Sequence, residues 1–256
     1  MKKKELHVGI LAGGLGSRLG ELTKTIPKPL VSINKLPILI HIMKIYLKYN
    51  YNNFYIALGY KNEEIIKYFL KKRLVSKKIK NQIKNGFKIS YKIENKKCNI
   101  TFLDTGLKTM TGGRVKRLSK VIPGKTFMLT YGDGIGDINI SKLVKFHFKK
   151  KKMVTVTAVN PPARFGELKM NGSKVIDFSE KKKITNSWIN GGFFLINKEF
   201  VNLIKNDSDI LERSPLEKVA NMRQLNAYKH KSFWQCMDTK RDKDKLEEIL
   251  KKKFFK

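Results

Sequence analysis

At 256 residues and 41% hydrophobic, the chain has enough apolar side chain to bury a sizeable core and suits a single domain. Its 55 Lys and Arg against 21 Asp and Glu give a formal charge of +34, which invites a nucleic-acid reading. The lysines are scattered through loops and outer helix faces without an RNA- or DNA-binding motif, so they read as a solvated surface that helps to gather anionic substrates.

The first element is a buried strand, Leu6-His7-Val8-Gly9-Ile10-Leu11, running into Ala12-Gly13-Gly14-Leu15-Gly16-Ser17-Arg18-Leu19. An apolar run ending in clustered glycines feeds a tight turn. Glycines serve where backbone amides approach a ligand closely, and successive exposed N–H groups form a concavity for a di- or triphosphate. Arg18 adds a bidentate phosphate donor. Pro27-Lys28-Pro29 follows, and the flanking prolines predict a stiff, extended segment carrying a second cation, Lys28. On the glycines alone, a plain turn between strand and helix is an equal reading. Two familiar phosphate loops are excluded. A Walker loop needs Gly-Lys followed by Ser or Thr, where this loop has Gly16-Ser17-Arg18. A dinucleotide fingerprint would need glycine where Leu19 stands, and an acidic residue where the next strand ends in Leu58-Gly59-Tyr60.

Residues 37–47 read as a helix with Pro37 in its first turn. Its dense apolar residues predict packing on the sheet, with His41 as a core histidine rather than a ligand. Residues 53–58 form a second strand, and Asn62-Glu63-Glu64 opens a helix with acids at its positive end. This alternation predicts a parallel sheet with crossover helices. Residues 71–97, rich in Lys and Asn with weak alternation at 89–93, read as a surface excursion before a strand at 99–103. Thr109-Met110-Thr111-Gly112-Gly113-Arg114 starts a helix whose N-terminus favours an anion, a reading compatible with a simple cap by Thr111. The strand from Phe127 ends in Thr130-Tyr131-Gly132-Asp133-Gly134, which places a carboxylate at the sheet edge where α/β folds bind ligands. Asp137 reads as a loop or cap residue.

A strand at 153–159 is broken by Pro161-Pro162-Ala163-Arg164-Phe165-Gly166. Residues 167–178 alternate around Asn171-Gly172, a hairpin signal, and lead into the basic run Glu180-Lys181-Lys182-Lys183. A strand entered through Asn190-Gly191-Gly192, short helices at 199–205 and 215–222, a strand at 225–230 and a closing helix at 241–250 complete the chain. No apolar run approaches the roughly 20 residues of a membrane span, and the start of the chain is too short in apolar residues for a signal-peptide core. Two cysteines, Cys98 and Cys236, without partners at metal-ligand spacing, predict a reduced, cytoplasmic setting.

Residues 11–19 with Pro27-Lys28-Pro29 resemble the opening of the sugar-1-phosphate nucleotidylyltransferases. Met110-Thr111-Gly112-Gly113-Arg114, Thr130-Tyr131-Gly132-Asp133-Gly134, Arg164-Phe165-Gly166, Ile189-Asn190-Gly191-Gly192-Phe193-Phe194 and Phe233-Trp234-Gln235-Cys236-Met237-Asp238-Thr239 resemble, in that order, the cytidylyl branch acting on glucose 1-phosphate. The likeness runs from about residue 6 to residue 242. It implies an α/β fold of Rossmann-like type, a mostly parallel mixed sheet flanked by helices. Within one domain, residues 1 to about 140 would form a nucleotide-binding half and residues 141–256 a sugar-phosphate half.

The implied reaction is transfer of the cytidylyl group of CTP to α-D-glucose 1-phosphate, giving CDP-glucose, a precursor for deoxysugar or polysaccharide synthesis, and pyrophosphate. Leu11, Ala12, Gly13, Gly14, Leu15, Gly16, Ser17, Arg18, Lys28, Thr109, Arg114 and Gly132 are the expected nucleotide contacts, with Arg18 and Lys28 catalytic through charge neutralisation. Glu180, Lys181, Asn190 and Gly191 are the expected sugar-phosphate contacts, the missing side chains at Gly191 and Gly192 leaving room for the ring. Lys182 stands where most relatives have proline. A triphosphate reaction needs Mg²⁺, and Asp133 with Asp238 is the expected carboxylate pair. The attacking phosphate is already ionised, so no general base is required, in keeping with the absence of a Ser-His-Asp or Cys-His arrangement. A homo-oligomer is expected, and the segment 71–97 corresponds to one used for nucleobase contacts and subunit packing. Three alternatives stand beside this reading: the same chemistry with UTP or dTTP, a homologue that binds nucleotide without turnover, and a basic nucleic-acid-binding protein.

Overall fold

In the computed structural model, which describes residues 5–161, 166–179 and 187–254, the first strand β1 (Val8–Leu11) lies inside an eight-stranded sheet. A short helix α1 (Glu21–Thr25), a small hairpin of β2 (Ser32–Ile33) and β3 (Leu36–Pro37), and helix α2 (Ile38–Leu47) lead to β4 (Asn53–Leu58), which pairs parallel with β1. Helices α3 (Asn62–Leu70) and α4 (Lys77–Gln82) precede β5 (Phe87–Ile93) and β6 (Lys96–Asp104). Helix α5 (Thr111–Val121) then returns the chain to β7 (Thr126–Tyr131), parallel to β1 on its other side. The later part supplies β8 (Gly134–Gly136), α6 (Ile140–Lys150), β9 (Val154–Val159), a hairpin of β10 (Glu167–Asn171) and β11 (Lys174–Ser179), and β12 (Ile189–Asn197). It ends with α7 (Ser214–Asn221), β13 (Leu225–His230), β14 (Trp234–Cys236) and α8 (Lys240–Phe254).

The strand order is β13-β9-β12-β7-β1-β4-β6-β5, and β12 and β5 alone run against their neighbours. The sheet is therefore mostly parallel, mixed and flanked by helices, as expected from the strand–helix alternation. Successive side chains point to opposite faces. On β12, Phe193 and Leu195 join Val8 and Ile10 in a core shared with α2, α3 and α8. Phe194 and Ile196 join the opposite core, with Leu118 of α5 and Val219 of α7. Both faces are covered, which explains the near-continuous apolar runs of the central strands. His41 is buried in α2 with Nε2 2.9 Å from the Ile33 carbonyl oxygen, a core position as expected. Among the described residues, no helix is long and apolar enough to cross a membrane.

Three expectations are corrected. The segment 71–97 is not only a surface excursion: it holds α4 and the edge strand β5, and β6 begins at Lys96. The alternation at β5 is weak because Phe87, Ile89 and Tyr91 pack on the sheet only partly, while Lys88, Ser90 and Lys92 face solvent, as suits an edge. Lys28 is not in an extended segment: Pro27 is extended, and Lys28–Leu30 forms a 3₁₀ turn closed by the Leu30 N–H donating to the Pro27 carbonyl at 2.8 Å. The segment expected as a helix at 199–205 is likewise a 3₁₀ turn, Lys198–Leu203.

Candidate active site

The carboxyl ends of β1 and β7 and the entry to β12 open into one cleft of about 1400 Å³. Leu11 to Arg18, Lys28, Thr109, Arg114, Gly132, Asp133, Asn190, Gly191 and Asp238 all line it. Glu180 and Lys181 lie outside the described residues, as do Arg164 and Phe165.

Two strands bring the carboxylates together. β8 pairs antiparallel with β14, Gly134 opposite Cys236, and the Met237 N–H donates to the Asp133 carbonyl at 2.8 Å. Asp133 just before the one strand and Asp238 just after the other therefore stand side by side. The Lys28 ammonium donates to Asp133 Oδ2 at 2.7 Å and to Asp238 Oδ1 at 2.8 Å, and Arg18 Nη1 donates to Asp238 Oδ2 at 2.9 Å. Burial alone would lower the pKa of Lys28, but the two carboxylates outweigh it and hold the ammonium above its ordinary value. Burial, reinforced by Asp238 and Asp133, pushes the Cys236 thiol up to about 12, so it stays protonated at neutral pH.

Asp238 is held by the start of α8. Thr239 and Asp242 form a reciprocal capping box: the Thr239 N–H donates to Asp242 Oδ2 at 3.0 Å and the Asp242 N–H donates to Thr239 Oγ1 at 3.2 Å. The Asp238 N–H donates to the same carboxylate oxygen at 3.2 Å. The Thr-x-x-Asp spacing is a readable signal for this cap, and sequence reasoning passed over it.

Arg114 lines the cleft, yet its guanidinium is engaged by the chain itself. Nη1 donates to the Leu58 carbonyl at 2.9 Å and to Thr105 Oγ1 at 2.6 Å, and Nη2 donates to the Gly13 carbonyl at 3.0 Å. This tether explains Gly13, where an added Cβ would sit 2.2 Å from Arg114 Nη1. Gly16 turns the loop in the left-handed region at φ 67°, and Thr23 Oγ1 donates to its carbonyl at 3.1 Å.

At the far end, Asn190 Nδ2 donates to the Tyr131 hydroxyl at 2.9 Å, and that hydroxyl donates to Glu212 Oε1. Thr111 Oγ1 donates to Glu212 Oε2 at 2.8 Å, and Trp234 Nε1 donates to the Gly191 carbonyl at 2.8 Å. Burial, with Glu212 beside it, holds the Tyr131 phenol above its usual range. Sequence reasoning missed Glu212, which sits outside any motif. It also gave the glycines a reason that the structure corrects. A Cβ at Gly191 would meet Val159 Cγ1 at 2.8 Å, and one at Gly192 would meet the Tyr131 ring at 2.6 Å. The room that these glycines leave is filled by the protein itself.

Residues 8–240 match the nucleotidyl transferase family. The chain is 42% identical over 244 residues, 95% of each chain, to the glucose-1-phosphate cytidylyltransferase of Salmonella typhimurium. It is 39% identical over 231 residues, 90% of each chain, to a Bacillus subtilis protein named "probable glucose-1-phosphate cytidylyltransferase". Among solved structures, HddC from Yersinia pseudotuberculosis aligns over 96% of this chain and 99% of its own, with a TM-score of 0.70 and 23% identity, a likeness of fold.

Proposed function

The chain belongs to the nucleotidyl transferase family, and from that premise we propose that it transfers the cytidylyl group of CTP to α-D-glucose 1-phosphate, forming CDP-glucose and pyrophosphate. The cytidylyltransferase relatives support the choice of substrates. The observation that carries the chemistry is the convergence of Arg18, Lys28, Asp133 and Asp238 at one end of a cleft floored by the glycine loop.

In this reading the loop from Gly13 to Ser17 cradles the triphosphate, and residues up to about 140 form the nucleotide half. Leu15, Leu107 and Met110, exposed apolar side chains on the cleft wall, offer a surface for the base. Arg18 and Lys28 neutralise phosphate oxygens, so that an oxygen of the sugar phosphate attacks the α-phosphorus in line with the departing pyrophosphate. Alignment and charge stabilisation do the catalysis, and no side chain needs to remove a proton. Residues 141–256 would hold the sugar phosphate, with Lys181 gripping its phosphate and Glu180, Asn190 and Glu212 at its hydroxyls, beside Tyr131 of the other half.

Asp133 and Asp238 fit a divalent ion. Their oxygens already converge on one cation, the Lys28 ammonium, at 2.7 and 2.8 Å, and Mg²⁺ is commonly held by one or two carboxylates plus phosphates. Bound there with the nucleotide, Mg²⁺ would draw charge from the phosphate oxygens. The two free cysteines suit a reducing, cytoplasmic site of action. The exposed Leu168, Ile176 and Phe178 of the β10–β11 hairpin suit a homo-oligomer that covers them, a point for light scattering.

Turnover of CTP, UTP, dTTP, ATP and GTP with labelled glucose 1-phosphate tests the assignment. CDP-glucose should dominate, and a preference for UTP or dTTP would overturn the choice of base. Asp133→Asn and Asp238→Asn should each cut turnover by roughly two or more orders of magnitude with the fold intact, since each removes charge from the metal position. Near-normal activity of either variant at low Mg²⁺ removes that residue from the role.

A further inference from the structure

Lys28 stands where the divalent ion would stand. Its ammonium lies between the two carboxylates at 2.7 and 2.8 Å, and Arg18 covers the remaining side of Asp238 at 2.9 Å. Two anionic and two cationic groups are thus balanced before any ligand arrives. None of the three central groups is loosely held. Lys28 opens a 3₁₀ turn behind Pro27, and its side chain is only 12% exposed. The Met237 N–H fixes the backbone at Asp133, and Asp242 fixes that at Asp238.

A free divalent ion entering this arrangement must push a lysine ammonium into the cleft without giving it another anion. The cost is Coulombic, because two cations then share one pair of carboxylates in a partly buried site. A triphosphate changes the exchange. The glycine loop packs against the Lys28 stem, since a Cβ at Gly16 would lie 3.0 Å from Lys28 Cβ. Phosphates seated on that loop therefore present new anionic partners to Lys28 and Arg18 as the carboxylates are released. We propose that Lys28 is an interlock: it closes the Asp133–Asp238 pair to free divalent cations and hands it over only when a nucleoside triphosphate draws its ammonium away. The proposal rests on the nucleotidyl-transfer reading above and adds a coupling to it. Metal and nucleotide each strengthen the binding of the other, by the same factor in both directions.

The test is binding rather than turnover. Mn²⁺ affinity is measured by electron paramagnetic resonance of the free ion, with and without a non-hydrolysable α,β-methylene analogue of CTP. The proteins are wild type, Lys28→Met, the near-isosteric Lys28→Gln and, as a control, Asp133→Asn. Circular dichroism checks each fold, and Lys28→Gln serves if Lys28→Met does not fold. Wild type should bind Mn²⁺ weakly alone and about tenfold or more tightly with the analogue, in the usual range of coupling between sites. Either Lys28 variant should bind Mn²⁺ about tenfold more tightly than wild type without nucleotide, and most of the coupling should vanish. Asp133→Asn should lose the tight mode. If the Lys28 variants bind Mn²⁺ no better than wild type, the interlock is wrong, and formation of CDP-glucose by the wild type leaves the proposed function standing. If the variants gain Mn²⁺ affinity while wild type turns over no triphosphate, the function falls, and Lys28 remains the guard of a cation site.

Discussion

The Arg114 guanidinium reaches Gly13, Leu58 and Thr105 together, so it ties the glycine loop to the ends of two neighbouring strands. Replacing it by methionine removes the charge-assisted hydrogen bonds to the Leu58 and Gly13 carbonyls and to Thr105 Oγ1, leaving the carbonyls only the Thr105 and Tyr60 donors, at a cost on the order of 3 kcal/mol. Lysine should restore little, because one ammonium cannot span the positions that a planar fork serves. The expected outcome for Arg114→Met and Arg114→Lys is a lower urea midpoint in both, with the KM for CTP raised more than kcat is lowered. An unchanged midpoint in Arg114→Lys would mean that the fork geometry is idle. At this scale the legibility of the site was uneven. Arg18, Lys28 and Asp133 are readable because each sits in a glycine or proline pattern, whereas Asp238 follows the apolar Phe233-Trp234 and is reached through the resemblance. Glu212 lies in a polar loop without such a pattern, and the loop comes to the cleft only through the fold.

Helix α8 matters through its first turn. Asp242→Ala removes the acceptor for Thr239 and Asp238, and should lower stability by about 1–2 kcal/mol as the loss of a capping box does. Because Asp238 loses its backbone restraint, turnover should fall as well, and higher Mg²⁺ should recover part of it. Asp242→Asn, which keeps an acceptor oxygen, should sit between the two. Helix α2 carries a pH dependence. Burial holds His41 below its ordinary value of 6.5, and burial does the same to His7 beside β1. Between the lowered value and 6.5 the unfolded chain binds more protons than the folded one, so stability is full above 6.5 and lost as pH falls. The urea midpoint should therefore drop from pH 7.5 to pH 5, and less so in His41→Gln. Helix α2 was readable because Pro37 opens it and its residues are apolar almost throughout, as a helix buried on most sides requires. The edge strand β5 was not, because its packing residues are half-exposed and separated by Lys and Ser.

Across the whole molecule, the densest block of the +34 charge, Lys149 to Lys152, is separated from the cleft by the length of the sheet's strands. Lys149 to Lys152 stand just before the amino end of β9, whereas the cleft opens at the opposite edge, where β1 and β7 end. A strand of this length spans about 20 Å, more than two Debye lengths of about 8 Å at physiological salt. Changing Lys149, Lys150, Lys151 and Lys152 together to Gln should leave kcat/KM within about twofold at physiological salt. A large loss with the fold intact would show that the lysines gather substrate at that range. The topology was only partly legible for a related reason. A strand covered on both faces reads as the same apolar run whichever way it points, so the reversed β12 between β7 and β9 cannot be told from its parallel neighbours.

The pairing of β8 with β14 also sets a schedule for the newborn protein. β8 leaves the ribosome about 100 residues ahead of its partner, a delay of roughly 5–20 s at ordinary elongation rates. During that interval Asp133 has no Asp238 beside it, and the edge of β8 waits without a ladder. A nascent chain is therefore catalytically mute until late in translation, and the waiting edge is a place where a chaperone would find it.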